Sequence, residues 1–224
     1  PDIISFAGGL PEIESLPTNL IPELHEKAIK DFGEAIFNYG LTEGFRPFRK
    51  INKYYPGGLG VSIDDDINQV LIHNGSQQTI DIAGRILIDP GDYVVVERPT
   101  YVGAIQAFSP RQPRYLQVET DEYGLMPESL EEILLNYQPR LLYLVPNFQN
   151  PSGKTIPWDR RKQIAELAEK HNIYVFEDDP YGELRYEGGH IDPIQSLIPK
   201  RTIYAHTYSK ILSNSFLFVP YALS

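Results

Sequence analysis

Cysteine is absent from the 224-residue sequence, which contains one methionine and one tryptophan. This excludes disulfide bonds, thiolate metal ligands and a cysteine nucleophile. Twenty basic residues against 30 acidic ones give a net charge of −10, which argues against a nucleic-acid-binding module. The short basic clusters Arg160-Arg161-Lys162 and Lys200-Arg201 are interpreted as solvated surface. No apolar run is long enough to span a membrane, and a cytoplasmic protein is expected.

What is present is the composition of a globular protein, with 42% apolar and 22% charged residues. Short apolar runs alternate with helical patterns, and several runs are continuous enough to be buried on both faces. This alternation predicts an α/β three-layer sandwich with a mostly parallel sheet. The predicted strands are residues 70–73, 93–97, 115–118, 141–145, 173–176 and 203–205. The predicted helices are residues 22–37, 77–87, 101–108, 127–136 and 157–171.

Polar side chains follow these strands, and functional residues of open parallel sheets gather at the carboxyl ends of the strands. The segment Gly75-Ser76-Gln77 opens a helix, where backbone N–H groups and a hydroxyl suit a phosphate. A serine N-cap without a ligand is the alternative. Tyr101 follows the next strand and has a ring able to stack on a planar cofactor, although a core or rim aromatic is also possible.

Three further segments supply an amide, carboxylates and an amine. Asn147 and Asn150 follow one strand, the acidic run Glu177-Asp178-Asp179 follows the next, and Lys210 follows the last. Separately these could be turn residues, a solvated face and a surface lysine. A metal site is not predicted, because no further carboxylate or histidine ligands are evident. Together they are what pyridoxal-phosphate (PLP) chemistry needs: an amine for a Schiff base, a carboxylate for the pyridine nitrogen and an amide for the phenolic oxygen.

The chain resembles fold-type I PLP enzymes, and among them class I aminotransferases of the α-aminoadipate and kynurenine type. Segments 6–11, 39–44, 147–153 and 177–184 carry the resemblance, which extends from about residue 5 to about residue 212. It implies PLP as the cofactor, with Lys210, Asp178 and Tyr101 catalytic. The implied cofactor contacts are Ser76, Gln77, Thr207 and Ser209 at the phosphate, Tyr101 on the ring, Asp178 at the ring nitrogen, Asn150 and Tyr181 at the phenolic oxygen, and Lys210 in the Schiff base.

The resemblance also implies a homodimer, in which Tyr39 reaches the phosphate of the partner subunit. Gly9 and Asn150 would contact the substrate. Residues 1–44 would form an N-terminal arm and helix, and residues 45–224 the large PLP-binding domain. Two departures are expected. Leu217 and Phe218 stand where the family has a phosphate-clamping arginine, and the C-terminal small domain is missing.

The implied activity is transfer of an amino group from an amino acid to a 2-oxo acid, with 2-oxoglutarate the expected acceptor. Lys210 would move the α-proton, and Asp178 would keep the ring nitrogen protonated. Three alternatives remain open: another fold-type I activity such as a β-lyase, an effector-sensing domain of a transcription regulator, and an inactive fragment. The loops do not specify the donor amino acid.

Overall fold

The computed structural model describes residues 14, 16–54, 60–63, 69–212 and 218–222. The strands are β1 Val70–Asn74, β2 Tyr93–Glu97, β3 Arg114–Val118, β4 Thr120–Asp121, β5 Gly124–Leu125, β6 Leu141–Leu144, β7 Tyr174–Asp179, β8 Thr202–His206 and β9 Phe218–Ala222. The α-helices are α1 Ile21–Phe32, α2 Arg46–Tyr54, α3 Ser76–Leu87, α4 Val102–Phe108, α5 Pro127–Asn136 and α6 Trp158–Lys170. Short 3-10 helices lie at Gly33–Phe37, Ser109–Arg111, Ile194–Ser196 and Pro199–Arg201.

Seven strands form the central sheet in the order β1-β9-β8-β7-β6-β2-β3. Neighbouring strands are parallel along the series β8, β7, β6, β2 and β3. Strand β9 is antiparallel to both of its neighbours, β8 and β1. The prediction of a mostly parallel sheet is therefore confirmed, and every predicted strand is present. The sequence analysis missed the short pair β4 and β5, and it missed β9, in which Pro220 interrupts the apolar residues.

Successive residues of the central strands face opposite sides of the sheet, and each side has its own core. Val94 and Val96 of β2 pack with α3 and α4, whereas Val95 packs with α5 and α6. The neighbouring strands β6 and β7 divide their side chains between the two cores in the same way. The sheet is thus the middle of three layers, as predicted.

The helical regions differ from prediction in several respects, and helix α2 at Arg46–Tyr54 was not predicted. The segment predicted as one helix over residues 22–37 divides at Gly33, whose φ of 61° ends α1 and starts a 3-10 helix. Arg161 of α6 was interpreted as solvated surface, but it is fully buried. It shares the sheet-facing stripe of α6 with Ile164, Ala165 and Ala168. Helical spacing, not the neighbouring basic residues, decides which side of α6 it occupies.

Among the described helices, none combines the length and the apolar character needed to cross a membrane.

Candidate active site

A cleft of about 330 Å³ opens at the carboxyl ends of the parallel strands. This size is at the small end of the range of roughly 300–1,000 Å³ found for ligand pockets. Segments at the ends of five strands, β1, β2, β6, β7 and β8, contribute to it, because these strands run in the same direction and end at the same edge of the sheet. The lining residues are Asn74, Gly75, Ser76, Gln77, Tyr101, Val145, Asn150, Asp178, Pro180, Tyr181, Thr207, Ser209 and Lys210.

Asp178 is the buried acid of this cleft, with 3% of its surface exposed. It lies inside β7, one residue before the end of the strand, whereas the sequence analysis placed it just beyond the strand. Its Oδ2 accepts a hydrogen bond from the Tyr143 hydroxyl at 2.7 Å. Its Oδ1 is buried and has no hydrogen-bond partner within the part of the chain that the structure describes. Burial raises the pKa of Asp178 to about 7, and the Tyr143 hydrogen bond opposes this rise.

The two acids beside Asp178 are also buried, but they have structural partners. Glu177 accepts the backbone N–H groups of Ile194 and Gln195, both at 2.9 Å. Asp179 Oδ1 accepts the backbone N–H of Gly182 at 2.9 Å, which fixes the turn after β7. Within the described ranges, no group of three or more His, Cys, Asp or Glu side chains could hold a metal ion.

The first turn of α3 lies beside the cleft, and its first two residues, Ser76 and Gln77, line it. Gly75 precedes the helix with a φ of 82°, a conformation that favours glycine. Ser76 begins the helix, and the first N–H groups of a helix have no acceptor within it. The Gln77 side chain donates to the carbonyl of Gly103 at 2.8 Å and so ties α3 to α4. Because its side-chain amide is used in this bond, Gln77 would contact an anion through its backbone N–H.

Two hydroxyls from the loop after β8 complete this polar corner. Thr207 and Ser209 are buried, and the Thr207 hydroxyl donates to Ser209 Oγ at 3.0 Å. The backbone N–H of Ser209 donates back to Thr207 Oγ1 at 3.2 Å. Lys210 is the next residue in the chain, is half-buried, and lines the same cleft.

Aromatic and amide groups form the remaining wall. Tyr101 is the N-cap residue of α4, and its ring covers Gly103 so closely that a Cβ built on Gly103 would overlap it. Burial, followed by the Asp178 charge, raises the pKa of Tyr101. Asn150 is hydrogen-bonded to the Tyr181 side chain, and burial raises the pKa of Tyr181 despite this bond.

The structure therefore gathers most of the residues predicted for the site. Tyr39, which was predicted to reach the cleft of a partner subunit, is fully exposed and does not line the cleft of its own chain. Gly9 and Leu217 lie outside the described residues. The sequence analysis missed Tyr143, which lies in an aliphatic run and looks like a core aromatic. One signal was available: a buried tyrosine hydroxyl normally finds a hydrogen-bond partner.

Comparison with known proteins identifies the family of the chain. The model of the family "Aminotransferase class I and II" matches residues 2–214. Aromatic-amino-acid aminotransferase 1 of Thermococcus litoralis is 39% identical over 96% of this chain and 53% of its own length. The 2-aminoadipate transaminase of Thermus thermophilus is 37% identical over 95% of this chain and 53% of its own length.

A solved structure shows the same relationship in three dimensions. The crystal structure of Pyrococcus horikoshii kynurenine aminotransferase, in complex with PMP, has a TM-score of 0.92 and 41% sequence identity. The match covers 99% of this chain and 56% of that one. The chain thus spans about half the length of the relatives that it matches. The resemblance stated from the loops is confirmed, and the chain belongs to the class I and II aminotransferase family.

Proposed function

We propose that the protein binds PLP in the cleft and takes part in transamination between an amino acid and a 2-oxo acid. The observation that carries this proposal is Asp178, a buried carboxyl with one oxygen bonded to Tyr143 and the other without a partner among the described residues. A buried acceptor without a donor costs free energy, and a ligand that presents an N–H group there would remove that cost. A protonated pyridine nitrogen is such a group.

The other lining residues fit the rest of the cofactor. The α3 N-terminus at Ser76 and Gln77, with the hydroxyls of Thr207 and Ser209, would hold the phosphate. Tyr101 would stack on the ring. Asn150 and Tyr181 would hydrogen-bond the phenolic oxygen. PLP, when bound, supplies an electron sink that weakens the bonds at the α-carbon of an amino acid.

Lys210 and Asp178 divide the acid–base work. Lys210 would provide the amine that holds the cofactor. Once the substrate amine has displaced it, the freed Nζ would take up and return the α-proton of the substrate. Asp178 would hold a proton on the ring nitrogen through its free oxygen. Because Asp178 is buried, its charge is poorly screened and acts strongly on that proton.

The substrates proposed are an amino-acid donor and a 2-oxo acid acceptor, with 2-oxoglutarate the preferred candidate for the acceptor. Support comes from the relatives, whose names specify aromatic amino acids, 2-aminoadipate and kynurenine. Among the described residues that line the cleft, none selects one of these donors.

A homodimer is proposed as the working form. The exposed Tyr39 supports it, because a fully exposed tyrosine is available to reach the cleft of a second subunit. Residues 1–44 are proposed as an arm that supplies Tyr39 and Gly9, and residues 45–224 as the cofactor domain. A cytoplasmic location stays a prediction from the sequence.

The experiment that tests the function is a visible absorption titration with PLP, followed by addition of a panel of amino acids. Lys210→Ala is the test variant and Lys200→Ala, a lysine outside the cleft, is the matched control. We expect a visible band that requires Lys210, survives Lys200→Ala and is bleached by one class of amino acid. Formation of a 2-oxo acid together with a new amino acid supports transamination, whereas release of ammonia would identify a lyase. A band that persists in Lys210→Ala would overturn the proposal.

A further inference from the structure

Tyr143 and Asp178 form a buried pair behind the cleft. Tyr143 lies on β6 and Asp178 on the adjacent β7, 35 residues apart in sequence, and the hydroxyl-to-Oδ2 distance is 2.7 Å. Tyr143 is fully buried, and it does not line the cleft. Burial and then the Asp178 charge hold the pKa of Tyr143 well above its usual value, so the hydroxyl keeps its proton and donates.

The Tyr143 ring has little freedom to turn away from Asp178. It packs edge-on against Phe108 of α4 at a centroid distance of 5.9 Å. It also packs against Phe176 of β7 at 5.7 Å, with the two ring planes tilted by 30°. These contacts fix the direction of the hydroxyl, and the hydroxyl in turn fixes one oxygen of the carboxyl. Because the two carboxyl oxygens are rigidly linked, the position of Oδ1 follows from the Tyr143 bond.

We infer that Tyr143 is a positioning residue for the cofactor: it engages Asp178 Oδ2 so that Oδ1 stays available to the ring nitrogen. This inference rests on the proposed function. Tyr143 also donates to the charged form of the carboxyl, and a hydrogen bond to the charged form favours ionisation. The same bond therefore orients Asp178 and favours its anionic form against the effect of burial.

Other charged groups near Asp178 shift its pKa in opposite directions. The charge of Asp179 raises the Asp178 pKa, and His206 of β8 lowers it. His206 contacts Glu183 at 3.0 Å and the backbone carbonyl of Asp179 at 3.1 Å. The bond from Tyr143 is the largest influence that opposes burial.

The test compares Tyr143→Phe with the parent protein, since this change removes one hydroxyl and keeps the ring contacts. The titration of Asp178 is followed by ¹³C NMR of carboxyl-labelled aspartate in the cofactor-free chain, with the signal assigned by its absence in Asp178→Asn. We expect the titration midpoint to rise by about one pH unit in Tyr143→Phe. Tyr115→Phe is the control: Tyr115 lies on β3, the change removes a hydroxyl bond to the Ile105 carbonyl of α4, and the midpoint should stay unchanged.

PLP affinity gives the second measurement. We expect Tyr143→Phe to bind PLP about 10-fold more weakly, the loss typical of a hydrogen bond to a charged group. In the Asp178→Asn background, the same change should cause almost no further loss, because Tyr143 acts through the Asp178 charge. An unchanged Asp178 midpoint, or an equal loss in both backgrounds, would overturn the inference. If the parent shows no Lys210-dependent band, the proposed function fails, and the NMR titration alone decides the role of Tyr143.

Discussion

The backbone N–H of Val145 donates a hydrogen bond to Glu97 Oε2 at 2.9 Å. Glu97 ends β2 and Val145 follows the adjacent β6, so the bond joins two parallel strands where the cleft begins. Glu97 is 2% exposed, and burial raises its pKa to about 8 against the opposing effect of the Val145 bond. In the folded protein at neutral pH, this carboxyl is therefore largely protonated.

Replacing Glu97 with glutamine should change how the stability of the protein depends on pH. The unfolded carboxyl ionises near 4.5, whereas the folded one holds its proton up to about pH 8. The folded state therefore binds more protons in this window, and the free energy of unfolding of the parent falls as pH rises through it. Glu97→Gln keeps an acceptor for Val145 but does not titrate. Relative to the parent, we expect it to gain at least about 1.4 kcal/mol between pH 5 and pH 8, the equivalent of one pKa unit.

Urea unfolding at the two pH values measures this gain. Glu119→Gln is the control, because Glu119 forms an exposed ion pair with Arg98. The control should change the free energy of unfolding by less than about 1 kcal/mol at either pH. A stability difference between Glu97→Gln and the parent that is the same at pH 5 and pH 8 would show that Glu97 is ionised in the folded protein.

An aspartate at position 76 should have opposite effects on the free protein and on cofactor binding. The first turn of α3 is Ser76-Gln77-Gln78-Thr79 and is uncharged. A carboxylate there stabilises the helix by about 0.3–1 kcal/mol through the helix dipole. The same carboxylate would lie against the proposed phosphate, so PLP should bind at least about 10-fold more weakly. Thermal unfolding measures the first effect and absorption titration the second.

Ser76→Asn is the matched control, since it has nearly the shape of aspartate without the charge. Binding of pyridoxal, which lacks the phosphate, separates the two causes of weaker binding. We expect pyridoxal affinity to be equal in Ser76→Asp and Ser76→Asn. If Ser76→Asp weakens pyridoxal as much as PLP, the phosphate does not lie at the α3 N-terminus.

The sequence predicted the parts of the fold that depend on local pattern. Strands buried on both faces appear as continuous apolar runs, so the parallel core was recognisable from β2 to β8. Because parallel strands end at one edge, the polar residues after them could be expected to meet, and the cleft brings Ser76, Tyr101 and Lys210 together. Strand β9 pairs antiparallel with β1 and β8, and Pro220 within it is unfavourable to a strand assignment from local pattern.

The supporting contacts around the cleft could not be predicted because they depend on register. Tyr143 meets Asp178 only because β6 and β7 pair with Tyr143 opposite Phe176, and nothing local to either residue specifies that pairing. The basic neighbours of Arg161 suggested a surface position. Its spacing of three residues from the buried Ile164 was a signal for the opposite interpretation.

Arg161 links the core of the sheet to the end of β7 that carries Asp178. Its guanidinium donates at 2.7 Å to Asn147 Oδ1, and Asn147 donates through its amide at 3.0 Å to Asp179 Oδ1. Its remaining hydrogen bonds go to the backbone carbonyls of Pro146, Ile156, Ile191 and Asp192. Burial lowers the pKa of Arg161, and the charges of Glu177 and Asp179 oppose this shift.

Arg161→Met should therefore destabilise the protein strongly, whereas Arg160→Met should not. Methionine fills similar space but leaves the carbonyls without a donor and the buried carboxylates without a cation. Removing one partner of a buried charged network costs about 3–5 kcal/mol. Arg160 makes a bidentate pair with the partly exposed Asp121 at 2.6 and 2.9 Å, and loss of this pair should cost about 1 kcal/mol, the upper end for partly exposed pairs. Urea unfolding of the two variants compares the same substitution at adjacent positions. Equal losses would mean that the Arg161 network contributes no more to stability than a surface ion pair.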